Sequence, residues 1–394
     1  MRLLFVKEKL SWPRSSGHDV HTFYSMQALA RLGHDVGLVT LHELDAQAVD
    51  KSGVSQTWCL SSESEQAIDQ AGLQLTKYQE KFRSYWGIDK QRILRIGQIA
   101  DDFMADAVIV VGLNVLPYLG AVRQGLRIWY AGDEWVWHHL SQVKWLKSGT
   151  WGEAKAALIK GLYERAYAPI LDRVWMVSQS DKKAIGWVAG LKDVDVLPNG
   201  VDTEYYHPFE VDQKPKSCVF WGRLDFGPNI QALEWFCNKI WPKVLAKHTD
   251  ATFTIFGFQP TATVERLAKD HSGIQIIGNS PDIREAIASH QVVVLPFTSG
   301  GGIKNKLLEA AALGKAILCT PRTVNELTAG STVLQANSPN QWVENLTNLW
   351  RDADKRKHLG RAAREWVMKA HTWDAVAKSA IEGITASIAK RSPK

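Results

Sequence analysis

Short apolar runs bounded by turn residues alternate with amphipathic stretches along the whole chain. Arg2–Val6 reads as a first buried strand. A loop with Pro13 and Ser15-Ser16-Gly17 leads into a helix from about Asp19 to Leu32, closed by Gly33, and His34–Thr40 is the next strand. Strand, glycine loop, helix, strand is a doubly wound α/β opening. No full G-x-G-x-x-G is present, so a dinucleotide fingerprint is not supported. Further strands are predicted at Val54–Leu60, Ala107–Val111 and Leu126–Tyr130, with helices around Glu63–Gln70, Asp89–Met104 and Val115–Arg123. Beyond Tyr163 come a helix, a strand and a turn in which Ser180 reads as a helix N-cap. Pro198-Asn199-Gly200 is turn chemistry that lets the chain leave a first domain.

A second strand and helix series starts near Ser217, with a helix opening at Pro228-Asn229 and strands at Thr252–Phe256 and Ile274–Ile277. After the stretch Val292–Thr320 follow a helix near Asn325, a strand at Thr332–Leu334, helices over Asn340–Ala370 and a last helix from about Trp373. The reading is two domains: residues 1–203 with a returning helix 373–394, and residues 204–372.

Val292–Thr320 holds the densest candidate chemistry. A buried strand, Val292–Leu295, ends at Pro296, and Gly300, Gly301 and Gly302 precede a helical pattern. Such a loop lets backbone N–H groups approach an anion at a helix N-terminus. Gly302, Asn305, Lys306 and Glu309 recur at i, i+3, i+4 and i+7 and share one face, while Ile303, Leu307, Ala310, Ala311 and Gly314 share another. Lys304 and Lys306 sit at the end of the helix dipole that disfavours cations, a sign that a bound phosphate reverses. Glu309 is suited to accept hydrogen bonds from a diol such as a ribose. A glycine cluster alone reads as a turn before a solvated helix; glycines, lysines and a same-face Glu together point to a ligand.

Composition narrows the classes. The 394 residues suffice for two domains, and 45% hydrophobic with 22% charged residues is ordinary for a soluble globular chain. MRLLFVKEKL is too short an apolar run for a signal peptide, and nowhere do 18 apolar residues run together. Cys59, Cys218, Cys237 and Cys319 have no metal or redox spacing, and a cytoplasmic location is expected. The net charge of +6 suits an anionic partner, yet no run of like charge marks a nucleic-acid arm. Trp135, Trp137, Trp145 and Trp151 interleave with Lys144, Lys147, Lys155 and Lys160, a pattern for core packing or for peripheral contact of 135–160 with an anionic membrane. Asp133 follows the strand at Leu126–Tyr130, where α/β sheets bind ligands; a helix-capping role fits it equally. His138 and His139 are weaker candidates, and Asp101-Asp102 reads as a helix surface pair. Asp193-Val194-Asp195 spells a metal motif on a short strand, and no metal site is assigned to it.

SGGGIKNKLLEAAALGKAI, with YERAYAPILDRVWMVSQSDKKAIGWVAGLKDVDVLPNGVDTEYYHP, resembles family four of the retaining glycosyltransferases, which have the GT-B fold. The resemblance implies two Rossmann-like domains facing a cleft, with the C-terminal helix crossing back to the first. A nucleotide-diphosphate sugar would sit on the second domain and a glycan or lipid-linked acceptor on the first, without metal. Glu309 matches the family's second Glu, which implies a ribose contact; the first Glu, which usually touches the transferred sugar, falls on Gly301. Arg223 matches the Arg that binds the pyrophosphate. Where the family often adds a Lys, this chain reads Asp225-Phe226-Gly227-Pro228, which shifts the second cation to Lys306 or Lys304. Asp282-Ile283 falls in the segment beside the base. The donor site is then expected to take in Gly17 (or His18), Arg223, Gly301, Gly302, Ile303, Lys304, Asn305, Lys306 and Glu309. Catalysis would fall to Asp133 near the anomeric centre, with Arg223 and Lys306 at the leaving group. Rival readings are a catalytically silent GT-B protein, a nonhydrolysing sugar-nucleotide epimerase and a nucleic-acid-binding protein; the last lacks any supporting motif.

Overall fold

Residues 1–11, 17–61, 73–132, 136, 151–278, 280, 282–299, 304–325, 327 and 332–391 are described by the computed structural model. The chain divides into two units, Met1–Pro198 with Trp373–Lys394, and Asn199–Thr372. Each is a parallel sheet flanked by helices.

The first unit holds seven strands: β1 (Arg2–Lys7), β2 (Asp35–Thr40), β3 (Gln56–Cys59), β4 (Ala107–Val111), β5 (Leu126–Gly132), β6 (Arg173–Met176) and β7 (Val194–Val196). Their order is β3-β2-β1-β4-β5-β6-β7, every pairing parallel. β4 is buried throughout, as an apolar run covered on both faces must be. The helix Gly17–Arg31 follows β1, and the Lys7 ammonium lies 3.0 Å from the Asp19 carboxylate in a buried ion pair joining the strand's end to the helix's first turn. The C-terminal helix Trp373–Arg391 returns to this unit: Trp373 stacks on Tyr24 at 5.3 Å, and Arg31 pairs with Asp374 at 2.7 Å.

Two local expectations need correction, and one helix has no counterpart among them. Val115–Arg123 holds only a 3₁₀ turn, Leu116–Ala121, because Pro117 lacks an N–H and Gly120 adds backbone freedom. The cap before the helix Gln179–Ala189 is Ser178, not Ser180: the Asp181 N–H donates to the Ser178 hydroxyl at 3.1 Å. A helix at Lys77–Tyr85 went unforeseen, although Thr76 and Gln79 form a reciprocal capping box. The helix expected at Glu63–Gln70 lies outside the described residues.

The second unit orders six parallel strands as β10-β9-β8-β11-β12-β13. They are β8 (Lys214–Trp221), β9 (Thr252–Phe256), β10 (Ile274–Ile277), β11 (His290–Leu295), β12 (Ala316–Cys319) and β13 (Leu334–Gln335). One core spans the sheet and its helices, with Phe220, Phe236, Trp241, Phe253 and Trp342 fully enclosed.

Two enclosed histidines make this fold acid-sensitive. His290 is 1% exposed, with Nδ1 2.7 Å from the Ala286 carbonyl and Nε2 2.8 Å from the Thr254 hydroxyl; burial lowers its pKa from 6.5 to about 4. In the first unit burial likewise lowers His21 from 6.5 to about 3. The unfolded chain therefore takes up these protons first, so the contribution of these two histidines is full above pH 6.5 and is lost as pH falls towards the folded-state values. For His290 alone the loss approaches roughly 3 kcal/mol near pH 4. Urea midpoints measured down this range should fall, and His290→Gln should flatten the slope; a slope untouched by that substitution would refute the assignment.

Candidate functional site

In the second unit β8 and β11 run side by side and parallel at the middle of the sheet, so their carboxyl ends share one edge. Crevices at such an edge are where open α/β sheets take ligands. The chain leaves β8 through Trp221, Gly222 and Arg223. Gly222 has φ 143°, a region open to glycine, and its N–H donates to the Phe256 carbonyl at 2.9 Å. A Cβ there would stand 2.4 Å from Lys306 Cε and 2.6 Å from its Nζ. The missing side chain is what lets Lys306 lie across the end of the strand.

Lys306 comes from the helix Asn305–Ala312, which starts later than the sequence suggested. Lys304 stands at the N-cap position without a side-chain cap bond, and Asn305 is the first helical residue. Leu307, Leu308, Ala310, Ala311 and Ala312 are buried and fix the helix on the sheet. Beside it, the Thr320 hydroxyl donates to the Phe297 carbonyl at 2.6 Å and the Thr323 hydroxyl to Leu295 at 2.9 Å, pinning the segment after β11. Asn199 Nδ2 donates to Asn305 Oδ1 at 2.7 Å and ties the unit's first residue to the helix start.

The electrostatics are uneven. Among the described residues the Lys306 ammonium has no ion-pair or hydrogen-bond partner; its Nζ lies 5.7 Å from the Phe220 ring centroid and 5.9 Å from that of Phe297. Burial pushes its pKa down, against the weaker upward pull of Glu309. Glu309, three residues on, accepts a 2.7 Å hydrogen bond from Trp221 Nε1 on Oε2, while Oε1 has no partner among the described residues. Burial raises the Glu309 pKa, and the Trp221 N–H and then the Lys306 charge oppose the rise. Both side chains sit deep in the protein yet keep an accessible edge.

Arg223 takes a different course. Its guanidinium forks onto Asp225, Nε to Oδ1 at 3.1 Å and Nη2 to Oδ2 at 2.7 Å, with the Arg223 side chain 63% exposed. The pairing raises the Arg223 pKa and lowers that of Asp225. Asn229 Nδ2 donates to the Arg223 carbonyl at 2.7 Å and holds the loop against the helix Gly227–Trp235. Asp282 is engaged by Arg284, whose guanidinium lies 3.7 Å over the Tyr205 ring.

The structure thus gathers Gly222, Lys306 and Glu309 and leaves Arg223 on the flank. Gly301, Gly302 and Ile303 lie outside the described residues, as do Asp133, His138, His139, Trp135, Trp137 and Trp145. Gly17 opens the first helix of the first unit; a Cβ on Gly132 would stand 2.7 Å from Nε2 of the adjacent His18, so the start of this helix meets the carboxyl end of β5. Of the proposed membrane stretch, Trp151 is 75% exposed, and no helix among the described residues is long and apolar enough to cross a membrane. Asp195 is taken up by Arg173 through two 2.6 Å hydrogen bonds. Among the described residues no cluster of three His, Cys, Asp or Glu side chains is placed to hold a metal ion. The sequence alone assigns no site role to Trp221 or Asn229; only the indole just before Gly222-Arg223, at a strand's carboxyl end, offers a signal.

A family model described as "Glycosyl transferases group 1" matches residues 215–352. A curated relative, an uncharacterised 44.6 kDa protein in the cps region of Klebsiella pneumoniae, is 32% identical over 115 residues, 26% of this chain and 29% of its own length. The aligned part is therefore under a third of that relative. Solved structures match over nearly their whole length. A mutant of S. aureus TarM in complex with fondaparinux, alpha-GlcNAc-glycerol and UDP gives a TM-score of 0.67 at 9% identity over 98% of this chain and 100% of its own. Sucrose-phosphate synthase from Thermosynechococcus elongatus gives 0.67 at 14% identity over 99% and 100%. Anabaena Alr3699/HepE with UDP and glucose gives 0.62 at 12% identity over 98% and 99%. The two Rossmann-like units are those of the GT-B fold, and the segment described by the glycosyl transferase model lies within the second of them.

Proposed function

We propose that this chain is a retaining glycosyltransferase that moves a sugar from a nucleoside-diphosphate sugar to an acceptor hydroxyl of a glycan or lipid-linked glycan. The observation that carries the reading is the Lys306 ammonium, deep, without an ion-pair partner among the described residues, and set at a helix N-terminus across Gly222. Such a group is unfavourable until an anion arrives. In the reaction the bond from the anomeric carbon to the diphosphate oxygen breaks. The acceptor oxygen bonds to that carbon on the same face, and its proton passes to the leaving diphosphate. Lys306 and Arg223 stabilise the charge that develops there, and Glu309 Oε1 receives a ribose hydroxyl. Asp133 is assigned to the sugar's side of the site. The UDP-bearing TarM and Alr3699/HepE structures support a nucleoside diphosphate as the ligand class.

The silent reading keeps one argument: Gly301 stands where the family has an acid, and Asp225 near where it has a cation. A thermal-shift panel of UDP, GDP, ADP and their sugars tests both readings. A ligand at about 100 Kd should add about 2.7 kcal/mol of stability. Stabilisation by one nucleotide, with its release from the matching sugar, is the expected result. Binding without release would favour the silent reading, and no response to any nucleotide would overturn both.

A further inference from the structure

We infer that Trp221 is a positioning residue for the sugar-nucleotide site, holding the Glu309 carboxyl group oriented so that Oε1 alone is presented to a ribose hydroxyl. The inference rests on the proposed function but concerns a residue that neither the motif nor the fold assigns. Trp221 is the last residue of β8, only 5% exposed, with its backbone in register with Phe256 of β9. The indole is therefore fixed by the sheet, and its single N–H has one acceptor, Glu309 Oε2 at 2.7 Å.

A carboxylate enclosed to this depth loses much of its hydration, and without donors it takes up a proton. Lys306 makes no hydrogen bond or ion pair with it, so the indole is the only side chain among the described residues that donates to Glu309. A donor with no acceptor capacity is well matched to this task, because it favours the ionised form without competing for the ribose. Occupying Oε2 also selects one rotamer of the carboxylate. The diol reader is then preorganised by a residue that never touches the ligand.

Titration calorimetry with UDP, GDP and ADP, and with inorganic pyrophosphate as a probe lacking the ribose, tests this on the full chain. Trp221→Phe should weaken the best-bound nucleoside diphosphate by about tenfold, as loss of a hydrogen bond to a charged group predicts, and leave pyrophosphate binding unchanged. In Trp221→Phe the affinity should also depend more steeply on pH, falling as pH is lowered, because the indole N–H no longer opposes the rise that burial imposes on the Glu309 pKa. In a Glu309→Ala background, which removes the acceptor of the indole N–H, the same substitution should change affinity less than about twofold, since coupled residues are not additive. Equal losses for pyrophosphate and nucleotide, or independent effects of the two substitutions, would overturn the inference and leave Trp221 a packing residue. If none of the three nucleotides binds the unaltered chain, the proposed function falls instead, a result distinct from binding that ignores Trp221.

Discussion

Lys306→Met should weaken nucleoside-diphosphate binding by about 10- to 100-fold, the worth of a charge-assisted hydrogen bond, and lower turnover by about 10²–10³ if the lysine also meets the leaving group. It should do so while making the folded chain more stable. Burial depresses the pKa of this lysine, so the native state holds its proton less tightly than the unfolded chain does, and the charge destabilises the fold at neutral pH. Methionine has a similar length, carries no charge, and would lie against the Phe220 and Phe297 rings that the ammonium now faces. Higher melting temperature with lower affinity is the mark of a residue kept for binding rather than for folding. A variant that loses stability and keeps its affinity would remove Lys306 from the anion site.

The same residues show what a sequence can and cannot display. Ala107–Val111, Thr252–Phe256 and Ile274–Ile277 form strands over the expected bounds because strands of a parallel sheet are short runs rich in β-branched and apolar residues, ended by glycine or polar residues. Glu309 and Lys306 were legible because a helix puts i and i+3 on one face. The helix start was not: Gly302 fits the helical spacing, yet Lys304 is extended, at φ −86° and ψ 101°, and helical geometry begins at Asn305. The Trp221–Glu309 bond joins residues 88 apart, and only the pairing of β8 with β11 brings them together. Nor does composition announce that Gly222 must lack a Cβ for the lysine to lie where it does; that depends on a helix some 80 residues downstream.

Arg223 carries the second large effect, and its neighbour makes it separable. Arg223→Ala should reduce turnover by about 10² or more, because a planar guanidinium that meets a diphosphate with two hydrogen bonds has no substitute in the loop. In the structure that fork is spent on Asp225, through bonds of 3.1 and 2.7 Å. Diphosphate must therefore draw the guanidinium away from a carboxylate, and the negative charge of Asp225 remains beside the incoming anion. Asp225→Asn weakens the competing pair and removes that charge, so it should tighten nucleoside-diphosphate binding where Arg223→Ala loosens it. Arg223 is exposed and Asp225 half-exposed, so neither substitution should move the melting temperature appreciably. Salt should narrow the gap between the unaltered chain and Asp225→Asn, since screening weakens an exposed carboxylate's repulsion of the anion. If Arg223→Ala turns over at a near-normal rate, the arginine is an ordinary surface partner of Asp225 and the diphosphate must be held by Lys306 and the helix N-terminus without it. If Asp225→Asn loosens binding as Arg223→Ala does, the aspartate orients the arginine for the ligand rather than competing with it.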